Sequence, residues 1–385
     1  MEPIDAMRAE FPVCREHIYL NHAAVSPLPL GCTRAMGRYL DELSAHGAAR
    51  GMGPLLALLD AVRGAGARLL GARPDQIFVV RSTTQGLSIP ALGLDWRAGD
   101  NLVLIEHEFP ANQRLWQPLG RRGVELRYVP SRGGRVALDE LAARVDGRTR
   151  LVAVSFVQFH TGLRLDLAAV ADICRSHDAM CCVDAIQGLG AFALDAAASG
   201  VDFVSADAHK WLLGPEGVGL GFCSDRALGR IAPALEGWLA VERPFDFYDL
   251  EQPLKPTAAR FEDSAYNSAG LAGLSGSLAL IERFGLDAIA ARILELTDRL
   301  ADGLEALGWS VLSPRQHQAE KSGVLSALPP GDARALLERL SAAGVVASLR
   351  DFPDGRRALR FSPHAYNTLD EIEQVLSILG SGLPT

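Results

Sequence analysis

Two periodicities alternate along the chain. Short runs are apolar at almost every position: QIFVV (76–80), NLVLIE (101–106), VELRYV (124–129), RLVAVSFV (150–157), AMCCVDA (179–185), VDFVSA (201–206) and GVGLGFC (217–223). Each has the length and composition of a strand. Between several of them lie segments such as LDELAARV (138–145) and DLAAVADICRSH (166–177), whose apolar residues recur at helical spacing. Strands apolar on both faces and joined by helices predict an α/β fold: a mostly parallel, seven-stranded sheet covered by helices on both sides.

After GFC the rhythm changes. Residues 224–262 are irregular and rich in proline and aromatics, and AGLAGLSGSLALIERFG (269–285) and LDAIAARILELTDRLADGLEALG (286–308) then predict long amphipathic helices. A compact α+β tail follows, with strands expected near 309–312, 322–328, 345–349 and 358–362. The expected organisation is an N-terminal segment, 1–20, packing on the tail; a large domain, 21–255; and a smaller C-terminal domain, 256–385. No repeat or low-complexity tract interrupts it.

Bulk numbers narrow the partners. A net charge of −8 argues against nucleic acid as the main partner, because phosphate binding wants a basic face. No apolar run approaches the roughly 18 residues of a membrane span, and the opening MEPIDAMRAEFP does not read as a secretory leader. The six cysteines show neither disulfide nor zinc spacing, so no metal site is expected and a reducing cytoplasm fits best.

Against that background one side chain stands out. Of 38 basic residues only Lys210, Lys255 and Lys321 are lysines, so 35 are arginines. A lysine is most often a surface residue, yet Lys210 sits in VSADAHKWLLGPEGVG (204–219), after a strand and before a glycine-rich stretch. An amine can shed its proton and attack a carbonyl, which a guanidinium cannot. In open parallel sheets ligands bind beyond the carboxyl ends of strands. Asp184 and Gln187 lie at one such end, Lys210 follows another, and STTQG (82–86), with Thr83 and Thr84, opens a helix after a third. Hydroxyls and N–H groups at a helix start cradle phosphate. A phosphate cup, a lone acid and a reactive amine suit pyridoxal phosphate, which offers an aldehyde to Lys210, a ring nitrogen to Asp184 and a phosphate to Thr84. A carboxylate about 4 Å from a cation is worth about 4 kcal/mol at an effective dielectric near 20, enough to keep the pyridine nitrogen protonated. A dehydrogenase of the dinucleotide-binding type would need a glycine fingerprint that STTQG does not supply.

From IYLNHAAVSPLP (18–29) to LRFSPHAYNT (359–368), with VDAIQGLG and AHKWLLGPEGVG between them, the chain resembles the class V aminotransferase family of pyridoxal-phosphate enzymes, which includes cysteine desulfurases, isopenicillin epimerase and kynureninase. The resemblance implies the fold-type I architecture of that family and a homodimer with sites near the interface. It implies that Lys210 carries the cofactor as a Schiff base, that Asp184 pairs with the ring nitrogen, and that Gln187 touches the ring hydroxyl. Thr83, Thr84 and His209 then hold the phosphate, Phe109 covers the ring face (His107 being the fallback), and Arg360 grips the substrate α-carboxylate, with Ala24 and Gln158 beside it. Ser264, in RFEDSAYN, stands where relatives reach a phosphate across the dimer interface. Two departures stand out. Asp207 occupies the place of a phosphate-binding serine, and ASLRDFPDGRRALR (347–360) lacks the acceptor cysteine of the desulfurases. The function implied is chemistry at the α-carbon of a small amino acid: transamination or direct C–S elimination. Epimerisation and a non-catalytic cofactor-binding module, which would need no Arg360 clamp, are the alternatives.

Overall fold

The computed structural model describes residues 3–381. All seven apolar runs form strands of one sheet: β1 (Ile77–Val80), β2 (Asn101–Ile105), β3 (Glu125–Val129), β4 (Thr149–Ser155), β5 (Met180–Asp184), β6 (Phe203–Asp207) and β7 (Gly219–Cys223). Their order is β1-β7-β6-β5-β4-β2-β3, and only β7 runs antiparallel to its neighbours. β5, β6 and β7 are buried at every residue, as a sheet sandwiched between helices requires. The carboxyl ends of β1, β2, β5 and β6 therefore share one edge, and the loops leaving it carry residues 82, 109, 184 and 210.

Helices cover both faces. α1 (Leu30–His46), α2 (Gly53–Leu69), α3 (Thr83–Gly93) and α4 (Leu167–Ser176) belong to this unit, and α5 (Ser268–Phe284) and α6 (Leu286–Ala306) follow. α3 lies so close to the sheet that a Cβ on Gly86 would stand 2.1 Å from Ser205 Oγ. That contact seats the first turn of α3 at the strand ends. The C-terminal part folds β8 (Ser310–Val311), β9 (Leu325–Leu328), α7 (Ala333–Ala342), β10 (Ser348–Asp351), β11 (Arg357–Phe361) and α8 (Leu369–Gly380), its sheet ordered β8-β9-β11-β10. The expected strand over 345–349 divides: Val345–Val346 pairs in parallel with Ile18–Tyr19, and β10 begins two residues on. The apolar period of 138–145 yields one short helix, Leu138–Ala142.

A plug of rings joins these parts. Phe11 stacks on Tyr366 at 4.0 Å between centroids, His364 lies 4.8 Å from His22, and Trp211 stacks on His364 at 5.7 Å. Burial pushes His364 down to about 3, and burial and then His364 hold His22 well below its ordinary value. A histidine depressed in the folded state stays neutral while the unfolded chain takes up a proton below about 6.5, so stability is lost as pH falls through that value. Glu108 and Asp184, raised to about 7 and about 6 by burial, oppose this by taking up protons in the folded state. The informative quantity is therefore a difference. His364→Phe should show a smaller drop in melting temperature than the parent between pH 7 and 5, by up to about 1.4 kcal/mol of stability per pH unit. Parallel curves would remove His364 from the acid response.

Candidate active site

A cavity of about 440 Å³ opens at the carboxyl edge of the sheet, closed on its far side by the C-terminal part. Lys210 enters it from the loop after β6, only 7% exposed. Its Nζ is 5.4 Å from the centroid of Phe109. Burial lowers the amine to about 8, with Arg360 and Arg350 adding to the shift and Asp184 opposing it. Such an amine is partly neutral near physiological pH, as a nucleophile and a proton carrier both require.

Asp184 ends β5 and is 2% exposed; its Oδ1 accepts from Ile186 N at 3.0 Å. Burial raises it to about 6, against the pull of that N–H and of Lys210. A cationic ring nitrogen is the partner such a carboxylate lacks. Gln187 is spoken for on both sides: its Nε2 donates to Ala23 O at 2.9 Å and its Oε1 accepts from Trp211 Nε1 at 3.1 Å. One N–H remains for a ring hydroxyl.

The start of α3 offers a place for an anion. Ser82 caps the helix by accepting from Gln85 N, Thr84 lies exposed at the cavity wall, and the free N–H groups of a first helical turn complete an anion cradle. Thr83 also lines the cavity, but its hydroxyl accepts from Asp207 N at 2.9 Å. Asp207 itself takes Ala208 N at 2.7 Å. Its Oδ2 stands 3.2 Å from His209 Nδ1, without hydrogen-bond alignment. The acid that would repel a phosphate is thus engaged by a backbone N–H and faces an imidazole ring.

Arg360, on β11, is 1% exposed. Its Nη1 donates to Phe159 O at 2.9 Å, while Nε and Nη2 have no partner among the described residues. Burial, then Arg350, lowers it to about 9. An unpaired buried guanidinium aimed at a cavity is a carboxylate receptor awaiting its anion.

Ala24, Thr83, Thr84, Phe109, Asp184, Gln187, His209, Lys210 and Arg360 all line this one cavity. Three named residues do not. Gln158 is buried, its Nε2 donating to Glu108 Oε1 at 2.8 Å. Ser264 is exposed on the irregular segment, away from the cavity of its own chain. His107 lines a separate pocket with His160. It adopts φ 61° just ahead of Glu108 and Phe109, a strained conformation of the kind that collects at functional loops.

Glu108, Arg350 and Phe159 were not anticipated. Glu108 accepts from Ser155 N at 2.8 Å and from Gln158, and meets the Ser155 hydroxyl, which ties the loop carrying Phe109 to the end of β4. Arg350 and Phe159 line the cavity directly.

The family model described as aminotransferase class-V matches residues 18–375. The chain belongs to the class V aminotransferase family. It is a pyridoxal-phosphate-dependent enzyme, and the amine, the buried acid, the helix-start cradle and the exposed ring face of this cavity fit that cofactor group by group. Among relatives of the class V chain, a probable cysteine desulfurase of Methanothermobacter thermautotrophicus is 30% identical over 95% of each chain. A cysteine desulfurase from Thermococcus onnurineus NA1 superposes with a TM-score of 0.90 at 25% identity, over 99% of this chain and 98% of that one. A cystine C–S lyase, solved with cysteine persulfide, superposes with a TM-score of 0.88 at 26% identity, over 97% of this chain and 100% of that one. No helix among the described residues is long and apolar enough to cross a membrane.

Proposed function

We propose that this class V enzyme cleaves the Cβ–S bond of a sulfur-containing α-amino acid by elimination, releasing the sulfur group directly. The observation that carries the reading is the pairing of a depressed amine with an unpaired guanidinium in a cavity whose walls, among the described residues, include no cysteine. In place of a cysteine-bearing loop, β10 and β11 are joined by a tight turn in which Phe352 N donates to Arg356 O at 2.8 Å. Bound pyridoxal phosphate supplies the electron sink for the pair left at the α-carbon. The chain does the rest. Arg360 fixes the α-carboxylate and so orients the α-hydrogen, and the Lys210 amine removes that proton and holds it at Nζ. Asp184 keeps a negative charge opposite the ring nitrogen, and Phe109 covers the ring face. The Cβ–S bond then breaks with its electron pair going to sulfur, and hydrolysis of the remaining fragment yields a keto acid and ammonia. Ser264 is read as a phosphate contact made to a second protomer of a homodimer.

The test is product analysis. Incubation of cofactor-loaded protein with L-cysteine or L-cystine should release pyruvate and ammonia in equal amounts together with sulfide or persulfide. Alanine with persulfide would indicate desulfuration instead, and a new amino acid formed only when a keto acid is added would make the enzyme a transaminase. Arg360→Ala should raise KM for carboxylate-bearing substrates by about 10- to 150-fold, equivalent to the 1.5–3 kcal/mol of a charge-assisted pair. An unchanged KM would refute the clamp.

A further inference from the structure

One acid beside the cavity is buried without lining it. Glu108 is 4% exposed. β2 has ended at Ile105, and its ladder with β4 stops at the pair Leu104–Ala153. Two residues further along β4, the Ser155 N–H donates to Glu108 Oε1 at 2.8 Å, so a side chain continues the ladder where the strand has left it. The same oxygen accepts from Gln158 Nε2 at 2.8 Å, and Oε2 meets the Ser155 hydroxyl. All three donors are neutral. Burial is the main cause that lifts this carboxyl to about 7, with the charge of Asp184 adding to it. An acid kept in such a place costs stability, and rules of this kind are broken chiefly at functional sites.

The clasp brackets an aromatic corner. Phe109 follows Glu108 directly and Phe159 follows Gln158 directly. Both line the cavity, and their rings meet edge to face at 5.3 Å. On the other side of Glu108, His107 is held at φ 61°, a left-handed conformation that persists in a non-glycine residue where its surroundings enforce it. The Glu108 carboxyl is thus the tie between the loop that carries Phe109 and the turn that carries Phe159.

We propose that Glu108 is a positioning residue: its clasp on Ser155 and Gln158 fixes the Phe109 ring against the cofactor, through the shape of the carboxyl rather than its charge. This role rests on Phe109 covering the cofactor ring, part of the proposed function, and holds whichever substrate bond the enzyme breaks. A glutamine reproduces the clasp, because its carbonyl accepts from the Ser155 N–H and from Gln158 while its NH2 donates to the Ser155 hydroxyl. An aspartate keeps the charge and falls one methylene short.

Full-length variants are compared by the visible circular dichroism of bound pyridoxal phosphate, by its dissociation constant, and by thermal melting of the cofactor-free chain. Glu108→Ala and Glu108→Asp should weaken the cofactor on the order of tenfold, the worth of one well-seated aromatic contact, and reduce the dichroic band per mole bound. Glu108→Gln should stay within about threefold of the parent, since it keeps every hydrogen bond of the clasp. A double-mutant cycle then tests the route. Phe109→Ala alone should give the same loss as Glu108→Ala, and adding Glu108→Ala to it should cost less than about a further twofold. Effects that multiply, a Glu108→Gln as weak as Glu108→Ala, or a parent-like Phe109→Ala would each overturn the assignment. So would a lower melting temperature with the cofactor band and affinity unchanged, which would make Glu108 a support for the sheet edge alone. Absence of C–S cleavage would bear only on the lyase reading, because none of these readouts uses a substrate.

Discussion

Lys210→Ala is expected to abolish turnover, by on the order of 10⁴-fold or more, while leaving a folded protein. The size of the effect follows from one amine holding two roles. In the proposed mechanism it is the covalent anchor for the cofactor and, once displaced, the proton carrier at the α-carbon. Nothing nearby replaces it. The adjacent His209 faces Asp207, and the other cations of the cavity are guanidiniums, which do not give up a proton near neutral pH. The fold should survive, because removing a buried amine also removes its desolvation cost. Borohydride treatment of the parent should fix the cofactor to the peptide containing Lys210, and the variant should show no such adduct. Turnover within tenfold of the parent would exclude Lys210 from the chemistry.

Asp184→Asn should lower kcat by about 10²- to 10³-fold with little change in KM. Burial, against the pull of the Ile186 N–H and of Lys210, leaves the carboxyl near 6, ready to be lowered further by a cation. A buried charge pair at about 4 Å is worth about 4 kcal/mol at an effective dielectric near 20, and its loss falls on the carbanion-forming step rather than on binding. The asparagine keeps shape and can still accept from Ile186 N, so a fall in kcat reports charge and not packing. A change of less than about threefold would mean the ring nitrogen needs no counter-charge here.

The large sheet was legible because strands buried on both faces are mainly apolar: β5 is so up to Asp184, and β6 is broken only by Ser205 and Asp207. α1 left no such trace. Its single buried residue is Cys32, and it docks on α5 by close backbone approach: a Cβ on Gly276 would stand 2.6 Å from Gly31 O. Glycine contact leaves no apolar stripe to read. At the site, Lys210 stood out against a background of arginine, and Asp184 stood out at the end of an apolar run. Arg350 had no contrast, being one arginine among many. Glu108 gave no signal in the sequence, because its partner Ser155 is 47 residues away along the chain. Gln158 joins the same network, through an acid 50 residues away along the chain.

The scarcity of lysine has a practical corollary. The Lys255 ammonium donates to Leu239 O and Lys321 is paired with Asp298 at 2.8 Å, so both are held by partners outside the cavity. Lys210 alone of the three opens onto the cavity at the carboxyl edge of the sheet, whereas Lys321 lines a second pocket in which Asp298 holds its ammonium. In protein freed of its cofactor, a small aldehyde shaped for that cavity would meet a single lysine there, giving a handle for attaching a spectroscopic reporter at a defined position.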